Sequence, residues 1–291
     1  MKYSYFPGCS LKGTGRAYEE SLLPVFKALG VDMTELDDWN CCGATAYMSV
    51  DEVKAAALAG RNLALAEKAG GDLMAPCAAC YLVLMKTQKR LEEYPAVRGE
   101  VGHALGQVGL SYEGKVKVRH PLDILVNDIG VEVISKKVVK PLKGLKVAPY
   151  YGCQIVRPYA TFDNQENPQT MDKLLRAVGA EVVDYPMKTK CCGGSLTGTL
   201  PEVGVSLVHG LLREASRRGA DVISTVCPLC QFNLDCFQDR VSSNYEKSAM
   251  PVVYITQLLG LALGLPMKEL GLHRGVVSVE PILAQRELLH V

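Results

Sequence analysis

The chain has 291 residues, a formal net charge of +1, 22% charged residues and 11 cysteines. Balanced charge gives no electrostatic footprint for nucleic acid, and no apolar run approaches the ~18 residues of a membrane span, so neither partner is expected. The length suits two domains of ordinary size, which can bury their cores without covalent staples.

Tyr3–Phe6 reads as a short apolar strand ending at Pro7-Gly8-Cys9. A helix over Arg16–Leu29 is closed by Gly30, and Val31–Leu36 returns as a strand before Cys41-Cys42-Gly43. The pattern then gives a long helix over Asp51–Ala69, a strand over Asp72–Ala75 that delivers Cys77, and a helix over Ala79–Leu91. The lysine-rich stretch Ser135–Gly144 reads as a solvated connector between domains. The order then repeats. Lys146–Tyr151 is the strand before Cys153, Gln169–Val178 a helix, and Glu181–Tyr185 the strand before Cys191-Cys192. Pro201–Arg218 is a long helix and Asp221–Val226 the strand into Cys227. Val116–Leu125 resembles Pro251–Leu259, so the repeat outlasts the cysteines, and Leu258–Leu265 is a core helix. Strand–helix alternation with short turns predicts an α/β fold of two duplicated domains with parallel sheets, spanning 1–143 and 144–291. Each cysteine then falls near the carboxyl end of a strand, where open α/β sheets bind ligands. Packing about a pseudo-twofold axis would set the two sites on either side of one cleft.

Ten of the cysteines form a duplicated pattern. Cys9, Cys41-Cys42 and Cys77-x-x-Cys80 make the first copy, and Cys153, Cys191-Cys192 and Cys227-x-x-Cys230 the second. In both, 34 residues separate the pair from the CxxC, and a glycine (Gly43, Gly193) follows the pair. A disulfide framework fits poorly: the chain opens on a strand rather than a signal segment, and five thiols per copy leave one over. Thiols expected to stay reduced, with no apolar span, read as a soluble cytoplasmic protein. Zinc and an ordinary cubane cluster each take four thiolates and leave the fifth idle. A larger or opened iron–sulfur assembly uses all five. Neither a ferredoxin-type cysteine run nor a strand–GxGxxG–helix unit is present, so electrons are expected to arrive from outside the chain.

The spacing Cys-x31–37-Cys-Cys-Gly-x33-CxxC resembles the CCG, or cysteine-rich, domain. Two copies across the chain resemble the B subunit of heterodisulfide reductase, and so do Tyr151-Gly-Cys153, Cys191-Cys192-Gly-Gly and Val226-Cys-Pro-Leu-Cys230. The resemblance implies Rossmann-like CCG domains and two noncubane [4Fe–4S] clusters held by the ten cysteines. It also implies a small-molecule disulfide substrate between them. In methanogens that is the coenzyme M–coenzyme B disulfide, reduced to two thiols by split one-electron transfers. The implied partners in a heterodisulfide reductase complex are its ferredoxin-like C subunit and its flavin-containing A subunit. Gln154 follows Cys153 where methanogenic relatives tend to have His, and the Cys41–Thr45 turn is closer to bacterial relatives, so the substrate stays open. An alternative is a CCG electron-transfer subunit of a sulfur-oxidising, hydroxyacid or fumarate type complex, where a fused ferredoxin module is usual; a zinc scaffold is a third.

Among the remaining residues, Lys12, Arg16 and Arg157 follow the lone cysteines and are candidates for anionic substrate groups. Backbone N–H groups of Gly13–Gly15 at a helix start offer further donors. Gly43, Gly193 and Gly194 suit tight turns and N–H bonds to sulfur. Trp39-Asn40 would shield the first site, and Cys236 would be a small buried hydrophobe. His120 shares its repeat position with Tyr254, which favours a core or interface role over proton donation. His103, His209, His273 and His290 receive no role.

Overall fold

Each half places its four strands in one parallel sheet. In the first, β1 (Lys2–Tyr5) lies between β2 (Asp32–Glu35) and β3 (Leu73–Met74), with β4 (Val118–Arg119) beyond β3. In the second, β5 (Lys146–Tyr150) lies between β6 (Glu181–Val182) and β7 (Val222–Thr225), with β8 (Val252–Tyr254) beyond β7. The orders 2-1-3-4 and 6-5-7-8 are the same order in two halves. The computed structural model describes residues 1–44, 46–245, 247 and 249–289, with Ala46 and Tyr47 by backbone only. Thr45, at the end of the first pair's turn, and His290 lie outside the described residues.

Central strands of such sheets are covered on both faces and read as continuous apolar runs. Accordingly Val147, Ala148, Tyr150, Val222 and Ile223 are fully buried. The long helices cover these faces. Glu52–Ala69 starts where the Asp51 side chain accepts from the Lys54 N–H at 3.0 Å, which satisfies one orphan donor of the first turn, and ends at Gly70 with φ +79°. Pro201–Arg217 starts with proline at its first position, where no N–H is needed. The expected strand over Glu181–Tyr185 is cut to Glu181–Val182, because Tyr185 turns inward and donates to the Leu211 carbonyl at 3.0 Å.

The connector is less solvated than its lysines indicate. Leu142 and Leu145 are buried, Val139 and Lys140 N–H both donate to the Ala262 carbonyl, and the Leu142 N–H donates to Val178. Its lysine side chains stay outside while its backbone is bound to the second half.

Contacts between the halves come in two related sets. Helix Arg16–Ala28 packs on helix Ile255–Ala262, with Ser21 Oγ and Thr256 Oγ1 2.6 Å apart and the Tyr18 and Tyr254 rings stacked at 4.4 Å and 5°. On the other side, helix Thr170–Ala177 packs on Pro121–Asp123 and Val131–Lys136, and Phe162 stacks on His120 at 6.3 Å and 7°. Exchange of the halves turns one set into the other, which is the pseudo-twofold relation.

Candidate metal centres

The strand order decides where the sulfurs meet. In a 2-1-3-4 sheet the connections leave β1 in opposite directions, so a crevice opens between the carboxyl ends of β1 and β3. Cys9 follows β1, Cys77 follows β3, and Cys41-Cys42 follow β2. The second half puts Cys153 after β5, Cys227 after β7 and Cys191-Cys192 after β6. Each CxxC opens a helix: Cys77 is the N-cap of Ala78–Glu93 and Cys227 of Pro228–Cys236. A helix start favours negative charge.

Within the first site, Cys42 Sγ and Cys80 Sγ are 3.2 Å apart, and the backbone of Gly8, next to Cys9, lies against Cys80 Sγ. In the second site, the backbone of Gly152, next to Cys153, lies against Cys230 Sγ, and Gly194, beside the pair, lies against Cys192 Sγ and Leu229 of the CxxC. Both copies therefore bring the lone cysteine, the pair and the CxxC to the same end of their sheet. Among the described residues no three Cys, His, Asp or Glu groups take the spacing that grips a single metal ion.

Burial divides each set in the same way. Cys42, Cys77 and Cys80, and in the second site Cys192, Cys227 and Cys230, are buried, whereas Cys9, Cys41 and Cys191 are exposed and Cys153 is half-buried. The CxxC and the second cysteine of the pair form the floor; the lone cysteine and the first of the pair form an open rim. On the floor, donation from Cys80 lowers Cys77 and Cys42, helped at Cys77 by the Cys80 and Ala79 N–H groups. Donation from Cys191, then Cys230, lowers Cys192. Cys42, Cys77 and Cys192 thus favour the thiolate, the form that ligates metal, while donation to these neighbours and burial push Cys80 and Cys230 up.

Glycines make the turns possible. Gly43 and Gly193 have φ +79° and +78°, and the N–H groups of Gly193 and Gly194 donate to Cys191 and Cys192 Sγ at 3.3 Å each. A Cβ on Gly8 would lie 3.0 Å from Cys80 Sγ, and one on Gly152 3.1 Å from Cys230 Sγ, so both sulfurs rest against bare backbone.

The flanking residues are placed as follows. Lys12 is shared between Glu19 (2.7 Å) and Glu35 (2.8 Å). Exposed Arg16 meets Glu20 at 3.3 Å, a carboxylate also held by Arg274. Arg157 donates one N–H to the Thr189 carbonyl. Gly13 and Gly15 do not offer their N–H groups to a ligand: both donate to the Ser10 carbonyl, because the loop closes on itself. Trp39 packs edge-on against Phe6 at 5.6 Å. Cys236 is half-buried at the end of its helix, less enclosed than expected. His120 is fully buried with both nitrogens engaged: Nδ1 accepts from the Leu122 N–H at 3.1 Å, so Nε2 carries the proton and donates to Pro76 O at 3.0 Å.

Two asparagines escaped the sequence reading. Buried Asn62 accepts from Asn40 N–H at 3.0 Å and donates to Asn40 O at 2.9 Å, clamping the residue before the first pair. Buried Asn233 donates to the Cys192 carbonyl at 2.7 Å and accepts from Thr197. Their signal is a polar residue on the core face of a helix.

A family model described as "Cysteine-rich domain" (CCG) matches residues 3–85 and 147–235. The chain belongs to the CCG family. Within it, the chain falls in the B-subunit group of the heterodisulfide reductases. It is 34% identical over 281 residues to a heterodisulfide reductase B-subunit-like protein of Archaeoglobus profundus, covering 94% of each. It is 33% identical to the B subunit of the ferredoxin/F420H2-dependent CoB–CoM heterodisulfide reductase of Methanosarcina acetivorans, over 98% of this chain and 96% of that one. It is also 33% identical to the 8-methylmenaquinol:fumarate reductase membrane anchor subunit of Wolinella succinogenes, over 95% of this chain and 97% of that one. In this CCG chain, no helix among the described residues is long and apolar enough to cross a membrane. The crystal structure of a hypothetical protein from Helicobacter pylori shares the fold, with a TM-score of 0.77 at 14% identity over 95% of this chain; the chain spans about half (52%) of that protein.

Proposed function

We propose that the chain is the iron–sulfur subunit of an oxidoreductase complex and that it reduces a small-molecule disulfide to two thiols. Cys9, Cys41, Cys42, Cys77 and Cys80 would hold one [4Fe–4S] cluster, and Cys153, Cys191, Cys192, Cys227 and Cys230 the other, both of the noncubane kind. The observation that carries this reading is the pair of five-sulfur sites at the carboxyl ends of two sheets, both bearing on one buried tyrosine stack between the halves. Five gathered thiols exceed what one zinc or one cubane uses. When bound, such clusters supply electrons one at a time, and two sites suit a two-electron cleavage. The chain's own part is to favour the thiolate at Cys42, Cys77 and Cys192, to donate glycine N–H groups to the second pair, and to leave the rim open. Arg16 and Arg157, only partly engaged, are the cations we retain for anionic substrate ends; Lys12 already serves two carboxylates.

The heterodisulfide reductase relatives are B subunits of larger enzymes, which supports a multisubunit complex; within it we propose a ferredoxin-like C subunit as the electron source and, behind it, a flavin-containing A subunit. A second reading, an electron-transfer subunit without disulfide chemistry, is favoured by the Wolinella relative. The match covers 97% of that protein, which leaves too little chain for a fused ferredoxin module. A fused ferredoxin module therefore does not separate the two readings.

The test starts with iron, acid-labile sulfide and zinc in anaerobically purified chain. About eight irons per chain are expected from two four-iron clusters, and Cys42→Ala or Cys192→Ala should each remove about half. The reduced protein is then mixed with small disulfides, the coenzyme M–coenzyme B disulfide among them. Reoxidation by a disulfide, abolished in both variants, supports the reductase. Clusters that no disulfide reoxidises leave the electron-transfer reading, and zinc without iron overturns both.

A further inference from the structure

The stacked contacts that join the two halves differ in their hydroxyls. The ninth residue after the lone cysteine is Tyr18 in the first half and Phe162 in the second. Each ring stacks on the residue at the carboxyl end of the other half's fourth strand, Tyr18 on Tyr254 and Phe162 on His120. The duplicated contact therefore carries a phenol on one side and a plain phenyl ring on the other.

Tyr18 is 0% exposed, and its Oη has no hydrogen-bond partner among the described residues. Buried hydroxyls are nearly always paired, and an orphan calls for a specific explanation. The surroundings supply one. Beyond burial itself, the groups that bear on this hydroxyl are Cys227 and then Cys77. Tyr18 stacks on Tyr254, at the end of the strand beside the one that leads to Cys227, and so lies among Cys227 of the second half and Cys77 of its own. Close packing fixes that position: a Cβ on Gly15 would lie 2.7 Å from Pro228 Cβ, and the Ser21–Thr256 hydroxyl pair at 2.6 Å pins the next turn of the helix. His120 cannot play the equivalent part for the first site, since its one N–H is committed to Pro76 O.

We propose that the Tyr18 hydroxyl donates a hydrogen bond across the domain interface to the sulfur-rich group held by Cys227 and its partners, and that this donor, absent at Phe162, makes the second centre easier to reduce than the first. The inference rests on the iron–sulfur reading. Hydrogen bonds to cluster sulfur stabilise the more electron-rich state and so set potential. Two centres built from one repeat would then fill in a fixed order, the second half first.

Tyr18→Phe is made in the full chain in two backgrounds, Cys42→Ala to leave the second centre and Cys192→Ala to leave the first. Anaerobic redox titration is followed by electron paramagnetic resonance, with iron counted in every sample. The second centre should become harder to reduce by about tenfold in its redox equilibrium, ~59 mV for one electron, with iron unchanged and the first centre unmoved. Full iron with no shift overturns the hydrogen bond. A shift in the first centre, alone or equally with the second, overturns the asymmetry. A parent chain without iron instead fails the underlying reading, so the two failures are distinct. In the metal-free chain, Tyr18→Phe should leave urea stability unchanged or raised, because the hydroxyl has no partner there; a loss would show that it is already bonded and overturn the proposal.

Discussion

Lys188→Met would strand a buried charge beside the second site. The Lys188 and Asp172 side chains are 8% and 4% exposed and meet at 2.8 Å. Lys188 Nζ also donates to the Pro168 carbonyl at 3.1 Å, and Tyr151 Oη donates to the second Asp172 oxygen at 2.6 Å. The N–H groups of Tyr151 and Gly152 donate to the Lys188 carbonyl at 2.9 and 3.1 Å. This network ties the strand that delivers Cys153 to the segment that delivers Cys191. Methionine keeps the length of lysine and removes the ammonium, so the carboxylate stays inside with no counter-ion. Removing one member of a buried pair costs about 3–5 kcal/mol, a large share of the ~5–15 kcal/mol that holds a domain together. Anaerobic urea unfolding of the metal-free chain measures it. Lys188→Met with Asp172→Leu should be clearly less destabilised than Lys188→Met alone, since a buried pair replaced on both sides by apolar groups is often near neutral. A single-variant loss below about 1 kcal/mol, or a double variant as unstable as the two singles summed, would refute the assignment.

Burial holds His120 down at about 4, against the pull of the Pro76 carbonyl and Asp123. Below its ordinary value of 6.5 the unfolded chain takes up a proton that the folded chain refuses, so stability is intact above pH ~6.5 and falls towards pH ~4. The effect is on the order of 3 kcal/mol, and His120→Gln should flatten the slope in urea titrations of metal-free chain between those limits; equal slopes would exclude His120 as the source. Gly152→Ala forces φ +72° on a residue with a Cβ and sets that carbon 3.1 Å from Cys230 Sγ. Strain of about 1–2 kcal/mol and the displaced sulfur should remove the second centre, read as a loss of half the iron; full iron would show that Cys230 has room to move.

The parts legible in the sequence are those set by local pattern. Short apolar runs, glycine stops and the repeat itself gave the strands, the long helices and the two parallel sheets. The cysteine spacing gave the membership of each sulfur set. What escaped depends on contacts distant in sequence. Glu35, 23 residues from Lys12, sits on a neighbouring strand and neutralises it with Glu19. The Gly13–Gly15 loop resembled a ligand cradle until the Ser10 carbonyl took its N–H groups. Asn62, Asn233, Asp172 and Lys188 belong to no motif, and only the packed structure reveals them as buried clamps. The Tyr18–Phe162 difference was present all along; counting from the lone cysteine, rather than from the pair, exposes it.

The crossed contacts between halves also say something about history. A surface that meets its own repeat through Tyr18 on Tyr254 and Phe162 on His120 is an isologous interface, of the kind that joins identical subunits. In a dimer of identical chains every substitution is made twice, and the two centres must stay alike. Once both copies lie on one chain, a ring can lose its oxygen on one side alone, and the two ends of a formerly symmetric machine are free to become donor and acceptor.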